Sequence, residues 1–230
     1  MDWISGIVDL FLHLDDHLRE VLRDYGAWTY LILLAIIFCE TGLVITPFLP
    51  GDSLLFAAGT FAAPRMVEGQ LEPAALNVLL LFVLLSAAAI LGDTVNYWLG
   101  AWIGPRAFSG HYRFLKQKHL DRTRRFYEKY GGSTIILARF VPIVRTFAPF
   151  VAGVGAMNYT RFIAYNVIGG LLWVAIFVFG GYFFGNLEWV QQNFSLVILA
   201  IIVISVMPMA VELLLAWAEA RRENRAQRDQ

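Results

Sequence analysis

The chain has 230 residues, of which 58% are hydrophobic and only 16% charged, with 18 Lys and Arg balancing 18 Asp and Glu. So apolar a composition excludes an ordinary water-soluble domain and places the chain in the membrane class. Zero net charge by itself says little about partners, and a lone cysteine, Cys39, excludes both an intramolecular disulfide and a cysteine metal centre.

Residues 1–24 repeat apolar side chains at helical spacing (Trp3, Ile7, Leu10, Leu14, Leu18, Leu22), with Asp9, Asp16, His17 and Glu20 on the other face. The pattern predicts an amphipathic helix lying in the membrane interface. Asp2 stands where a cleavable signal would carry basic residues. His13 and His17 fall four apart and read as interfacial polar contacts; no metal site is expected.

Trp28 to Cys39 and Ser53 to Ala63 are uncharged runs too short to cross a hydrocarbon core, which needs about 20 helical residues. Between them, Glu40 to Asp52 contains Pro47, Pro50 and Gly51, which break a helix and free backbone carbonyls. Residues 28–63 are therefore expected to form a re-entrant helical hairpin, tolerable at membrane depth only when buried in protein or lining a cavity. Residues 74–103 are a full span, uncharged from Ala74 to Gly92 and interrupted only by Asp93. Residues 104–130 carry eight Lys and Arg against Asp121 and Glu128. A second broken stretch, 131–157, sets Arg139, Pro142, Arg145, Pro149 and Gly153 in apolar sequence and is expected to be a second re-entrant hairpin. Residues 162–187 and 194–217 are two more spans, and 218–230 a basic tail.

The basic segment and tail belong on the cytoplasmic side. Two spans between them bring the chain back to that side if 131–157 returns to its own face. Residues 64–73 and the acidic N-terminus then lie outside. Short matches recur in order: Tyr25-Gly26 with Tyr130-Gly131, Phe48-Leu49-Pro50 with Phe140-Val141-Pro142, and Tyr97 to Gly100 with Tyr182 to Gly185. Opposed hairpins at matching positions predict an inverted repeat, and such repeats in transporters hold a site at the bilayer midplane. The expected fold is one all-α membrane domain: two opposed re-entrant hairpins, three full transmembrane helices and amphipathic interfacial helices.

Five ionisable residues lie inside these segments: Glu40, Asp52, Asp93, Arg139 and Arg145. Unpaired, each costs about 2.5–3.5 kcal/mol at a helix centre, a total comparable to the whole stability of a typical fold, about 5–15 kcal/mol. They must be paired or hydrated. One hairpin carries acids and the other arginines, so facing tips would neutralise each other. A purely structural ion-pair network is the plainer reading, yet such pairs stabilise poorly beside apolar packing. Asp93 reads either as a member of the site or as a hydrogen-bonding partner for a helix break. Two arginines offer planar, bidentate donors suited to a phosphate, and carboxylates beside them could capture or release a proton as the phosphate arrives.

Phe38-Cys-Glu40-Thr-Gly-Leu-Val, Pro47-Phe-Leu-Pro50-Gly51-Asp52-Ser, Gly92-Asp93, Phe126-Tyr-Glu-Lys-Tyr-Gly131 and Ala138-Arg139-Phe-Val-Pro142-Ile-Val-Arg145-Thr-Phe-Ala-Pro149-Phe-Val-Ala-Gly153 carry a resemblance to the bacterial DedA family, of the VTT/SNARE-associated superfamily. The resemblance runs over nearly the whole chain. It implies opposed re-entrant hairpins, a core shared with eukaryotic lipid scramblases and a role in envelope maintenance at the bacterial inner membrane. Some members recycle undecaprenyl phosphate, and some depend on the proton motive force; the required positions fall on Glu40, Asp52, Arg139 and Arg145. The expectation is a transporter of lipid phosphate. Arg139 and Arg145 would bind the head group and Glu40 and Asp52 gate it, with Asp93 a further residue of the site and Pro47, Pro50, Gly51, Pro142, Pro149 and Gly153 at the breaks. Membrane lipids are the expected partners, nucleic acid is not, and self-association stays open. No enzyme activity and no cofactor are expected, protons serving at most as a coupling ion. The alternatives are a proton-coupled antiporter of small cations and a non-transporting protein of envelope maintenance.

Overall fold

The computed structural model describes residues 24–42, 51–67, 70–107, 132–155, 157–185, 187–194, 196–201 and 203. The expected interfacial helix except its last residue, Pro47, Pro50, most of 104–130, residues 204–217 and the basic tail lie outside them.

A 3-10 turn at Gly26–Trp28, with Gly26 at a φ of 52°, opens α1 (Thr29–Gly42). Next come α2 (Gly51–Phe61), a ribbon of β1 (Arg65–Val67) and β2 (Gln70–Glu72), and α3 (Val78–Ala107). The chain continues through α4 (Ser133–Ala138), α5 (Pro142–Val154), α6 (Tyr159–Phe184) and α7 (Glu188–Gln192), with further helix over 196–201. At 1.5 Å per residue, the 30 residues of α3 and 26 of α6 reach about 45 and 39 Å. Both are long and apolar enough to cross a hydrocarbon core of about 30 Å.

The two long helices start alike. The Asn77 side chain accepts from the amides of Leu79 and Leu80, each at 3.0 Å, and Asn158 accepts from Thr160 and Arg161 at 2.9 and 3.3 Å. Each asparagine thus satisfies two amide groups that the first turn leaves without an intrahelical partner.

The long helices pack on each other; α3 also carries α1 and α5, and α6 carries α2 and α4. The Tyr30 hydroxyl accepts from the Asn77 amide at 2.6 Å, the Ala75 amide donates to Phe61 O at 3.1 Å, and the Thr60 hydroxyl lies 3.3 Å from Gly181 O. These contacts gather the start of α1, the end of α2, the start of α3 and the end of α6. At the opposite end, the Tyr97 hydroxyl donates to Met157 O, and a Cβ on Gly104 would meet Val154 Cα at 3.1 Å. The end of α3, the end of α5 and the start of α6 therefore lie together there, and α3 and α6 run antiparallel.

Glycines set the closeness of two of these crossings. Between α2 and α6, a side chain at Gly59 would strike Val178 O and one at Gly181 would strike Phe56 O. Between α5 and α3, Gly153 faces Tyr97 O and Gly100 faces Phe150 O in the same reciprocal pattern. Only backbone against backbone fits, as in tightly packed membrane helices generally. The correspondence holds one constant offset of 81 residues in the long helices (Asn77 to Asn158, Gly100 to Gly181, Gly104 to Gly185). In the shorter arms the offset is 94 (Phe56 to Phe150, Gly59 to Gly153). The difference falls in the connection after each arm, where the β-ribbon occupies the first half and the second has a short turn.

The molecule is apolar outward. Trp28, Leu79, Trp102 and Phe183 are each more than 60% exposed, while Asn96 and Asn166 are fully buried. Exposed aromatics cluster toward the helix ends, Trp98 and Trp102 on α3 and Phe183, Phe184 and Trp189 around the end of α6, the distribution of an interfacial aromatic belt.

The structure corrects the sequence reading at several points. Residues 64–73, for which no secondary structure was expected, carry a β-ribbon with Arg65 paired to Glu72 in antiparallel register, so the described fold is helical with one short ribbon. The first long helix runs from 78 to 107 rather than 74 to 103, because Asn77 caps it; the second runs from 159 to 184 rather than 162 to 187, because Asn158 does. Pro149 and Gly153 are not at a break. Both lie inside α5, Gly153 where α3 approaches, and the break is at 139–141, where Val141 is extended before Pro142 (φ −119°, ψ 107°). The repeat also slips by one helical turn: Gly185 matches Gly104, not Gly100.

Candidate functional site

The five charged residues meet midway along α3 and α6. Glu40 comes from the last turn of α1, Asp52 from the first turn of α2, Asp93 from the middle of α3, Arg139 from the break after α4 and Arg145 from the first turn of α5. All are buried, Glu40 at 1% exposure and Arg145 at 8%. The backbones converge because glycine lines the approach: a Cβ on Gly42 would lie 3.2 Å from Gly92 Cα. Gly51 leaves the space that the Glu40 carboxylate fills, and its amide donates to Glu40 Oε1 at 3.1 Å.

Arg145 joins the two broken segments. Its Nη1 donates to Asp52 Oδ1 at 2.8 Å and its Nη2 to Glu40 Oε1. Arg139 turns instead to the long helices, donating through Nη2 to Asp93 Oδ2 at 2.5 Å and to Asn166 Oδ1. Asp93 thus forms an ion pair with Arg139, the residue at the break after α4. Asn166 in turn donates to Ile90 O at 3.0 Å, tying α6 to α3. Low dielectric makes such pairs costly to break and leaves any unpaired member expensive.

Three residues here escaped the sequence reading. Trp173 on α6 donates its indole N–H to Asp52 Oδ1 at 2.8 Å, and its ring faces both guanidinium groups, Arg145 at 5.3 Å and Arg139 at 5.9 Å. Asn96, one turn beyond Asp93, donates to Thr41 O at 3.3 Å and Thr146 O at 2.7 Å, clipping both broken segments to α3. Asn166 is the third. A buried tryptophan in an apolar helix is indistinguishable by composition from lipid-facing ones. Uncharged asparagines in a span are visible, but only pairing shows their use.

Polar atoms remain open in this core: Glu40 Oε2, Asn96 Oδ1 and Arg139 Nε are buried without a hydrogen-bond partner among the described residues. Chemically, the arrangement is a buried cluster of cationic forks, carboxylates able to take their place, and donors and acceptors left open among the described residues. It suits an anion with several oxygens exchanging against carboxylates. Among the described residues no cluster of His, Cys, Asp and Glu could hold a metal ion.

The family model of the VTT domain matches residues 49–183, which include every charged member of the cluster except Glu40. Protein DedA of Escherichia coli (strain K12) is 54% identical over 215 residues, covering 93% of this chain and 95% of that protein. An uncharacterized membrane protein of Mycobacterium tuberculosis is 43% identical over 183 residues (78% of this chain, 76% of that protein). The inner membrane protein YqjA of Escherichia coli is 34% identical over 193 residues (82% and 84%). No solved structure matches the chain.

Proposed function

This chain belongs to the DedA family of membrane proteins, and from that premise we propose that it carries an anionic lipid phosphate, such as undecaprenyl phosphate, across a bacterial inner membrane. The observation that supports this most is the cluster itself, two arginines and three carboxylates buried at mid-length of two helices long enough to span. Ionised groups in that position are costly and mark transport pathways and proton relays more than they add stability.

In this reading α1 with α2 and α4 with α5 are re-entrant hairpins entering from opposite faces, the repeat is inverted, and residues 194–217 supply a third span. The basic 104–130 segment and tail face the cytoplasm. An inner-membrane location follows the name of the YqjA relative. The protein is a carrier, neither an enzyme nor cofactor-dependent. Protons are its coupling ion, since three carboxylates against two arginines leave one negative charge for a proton to neutralise.

The test is purified protein in phosphatidylcholine vesicles containing undecaprenyl phosphate, scored by its appearance on the opposite leaflet with and without a pH gradient. Protein-dependent movement that Arg139→Gln abolishes is the expected result. The excess carboxylate also suits a proton-coupled cation antiporter: cation exchange in the same vesicles with no lipid movement would replace the first reading by that one. Neither activity would leave a structural role.

A further inference from the structure

The two arginines are held differently. Arg145 donates through both terminal nitrogens, each to a carboxylate. Among the described residues Arg139 makes both of its side-chain bonds through one nitrogen, Nη2, to Asp93 and to the neutral amide of Asn166, and leaves Nη1 without a hydrogen bond; Nε does not distinguish the two arginines. A guanidinium has five N–H donors, so Arg139 keeps donors to offer.

Charge separates the two halves further. With all groups ionised, Arg145 faces two carboxylates and its half is net negative, while Arg139 and Asp93 cancel. In a medium of low dielectric an unneutralised charge beside a site repels a like charge arriving there. An arriving phosphate is therefore repelled at Arg145 and admitted at Arg139. Glycine lets the Arg139 side chain lie close against α6: a Cβ on Gly169 would sit 3.3 Å from Arg139 Nε.

We infer that the arginines divide the work: Arg139 receives the lipid phosphate, and Arg145 is a latch that holds the two broken segments together through Glu40 and Asp52 without touching the head group. The phosphate meets Nη1 and competes with Asp93 for Nη2. Opening the latch is a separate event that lets the loaded site move. This assignment rests on the lipid-phosphate reading above.

The experiment titrates undecaprenyl phosphate into the purified full chain in phosphatidylcholine nanodiscs and measures transport in vesicles from the same preparations. Arg139→Lys keeps charge but loses the planar fork, and binding is expected to weaken about tenfold. Arg145→Lys is expected to hold binding within about twofold while transport stops, because the latch geometry is what it loses. Asp93→Asn removes the competitor and is expected to tighten binding about threefold, a gain that misfolding cannot produce. Equal loss of binding in both lysine variants, or no tightening in Asp93→Asn, overturns the division of roles. In that case protein-dependent movement by the unaltered chain still upholds lipid transport. An unaltered chain that neither binds nor moves the lipid removes both.

Discussion

The crossing of α2 with α6 and that of α5 with α3 are built from one pattern, a glycine on each helix facing a carbonyl three residues before the other's glycine. Their tips share nothing of that likeness. One bears Glu40 and Asp52, the other Arg139 and Arg145, and the first arms differ in length, 14 residues in α1 against 6 in α4. Backbone packing depends on the absence of side chains and repeats faithfully. The chemistry sits where the repeat fails, because a pairing of charges needs unlike partners. Two equal tips could not neutralise each other.

The largest effect should come from the unlike part. Arg145→Met strands two buried carboxylates, and a loss of about 3–5 kcal/mol is expected, read as a lower unfolding midpoint in mild detergent. Adding Glu40→Gln and Asp52→Asn should recover most of it. A single variant as stable as the parent would mean that these groups are not paired.

The like part gives the next effect. Gly59→Ala and Gly153→Ala each push a methyl into a facing carbonyl and should cost about 1–3 kcal/mol by the same assay. Their agreement is the point. A severe loss at one and none at the other would deny that the crossings are equivalent.

Trp173 tests the join between the two tips. Trp173→Phe keeps a ring against both guanidiniums but removes the donor to Asp52, and should cost about 1.5 kcal/mol. Trp173→Leu also removes the ring and should cost about 1 kcal/mol more. Phenylalanine and leucine variants of equal stability would show that the ring contact contributes nothing.

Smallest are the caps. Asn77→Ala and Asn158→Ala should each cost about 1 kcal/mol, equally, since each removes an acceptor from two first-turn amides. A midpoint shift confined to one of them would limit the repeat to the glycine crossings.

Much of this was legible in the chain. Uncharged length located α3 and α6, because a hydrocarbon core admits a helix only if it is long and apolar. The cost of burying charge singled out Glu40, Asp52, Asp93, Arg139 and Arg145. Tertiary structure decided how they pair. Nothing in spacing distinguishes Arg139 from Arg145, yet one reaches the long helices and the other α1 and α2, since direction depends on how α4 and α5 lie against α6 and α3. Pro149 read as a break and proved part of a helix. Proline removes only one donor, and neighbouring helices in a packed bundle absorb that loss. Trp173, Asn96 and Asn166 were silent for a related reason: their meaning is a partner on another helix, and a partner across the fold leaves no periodicity in the sequence.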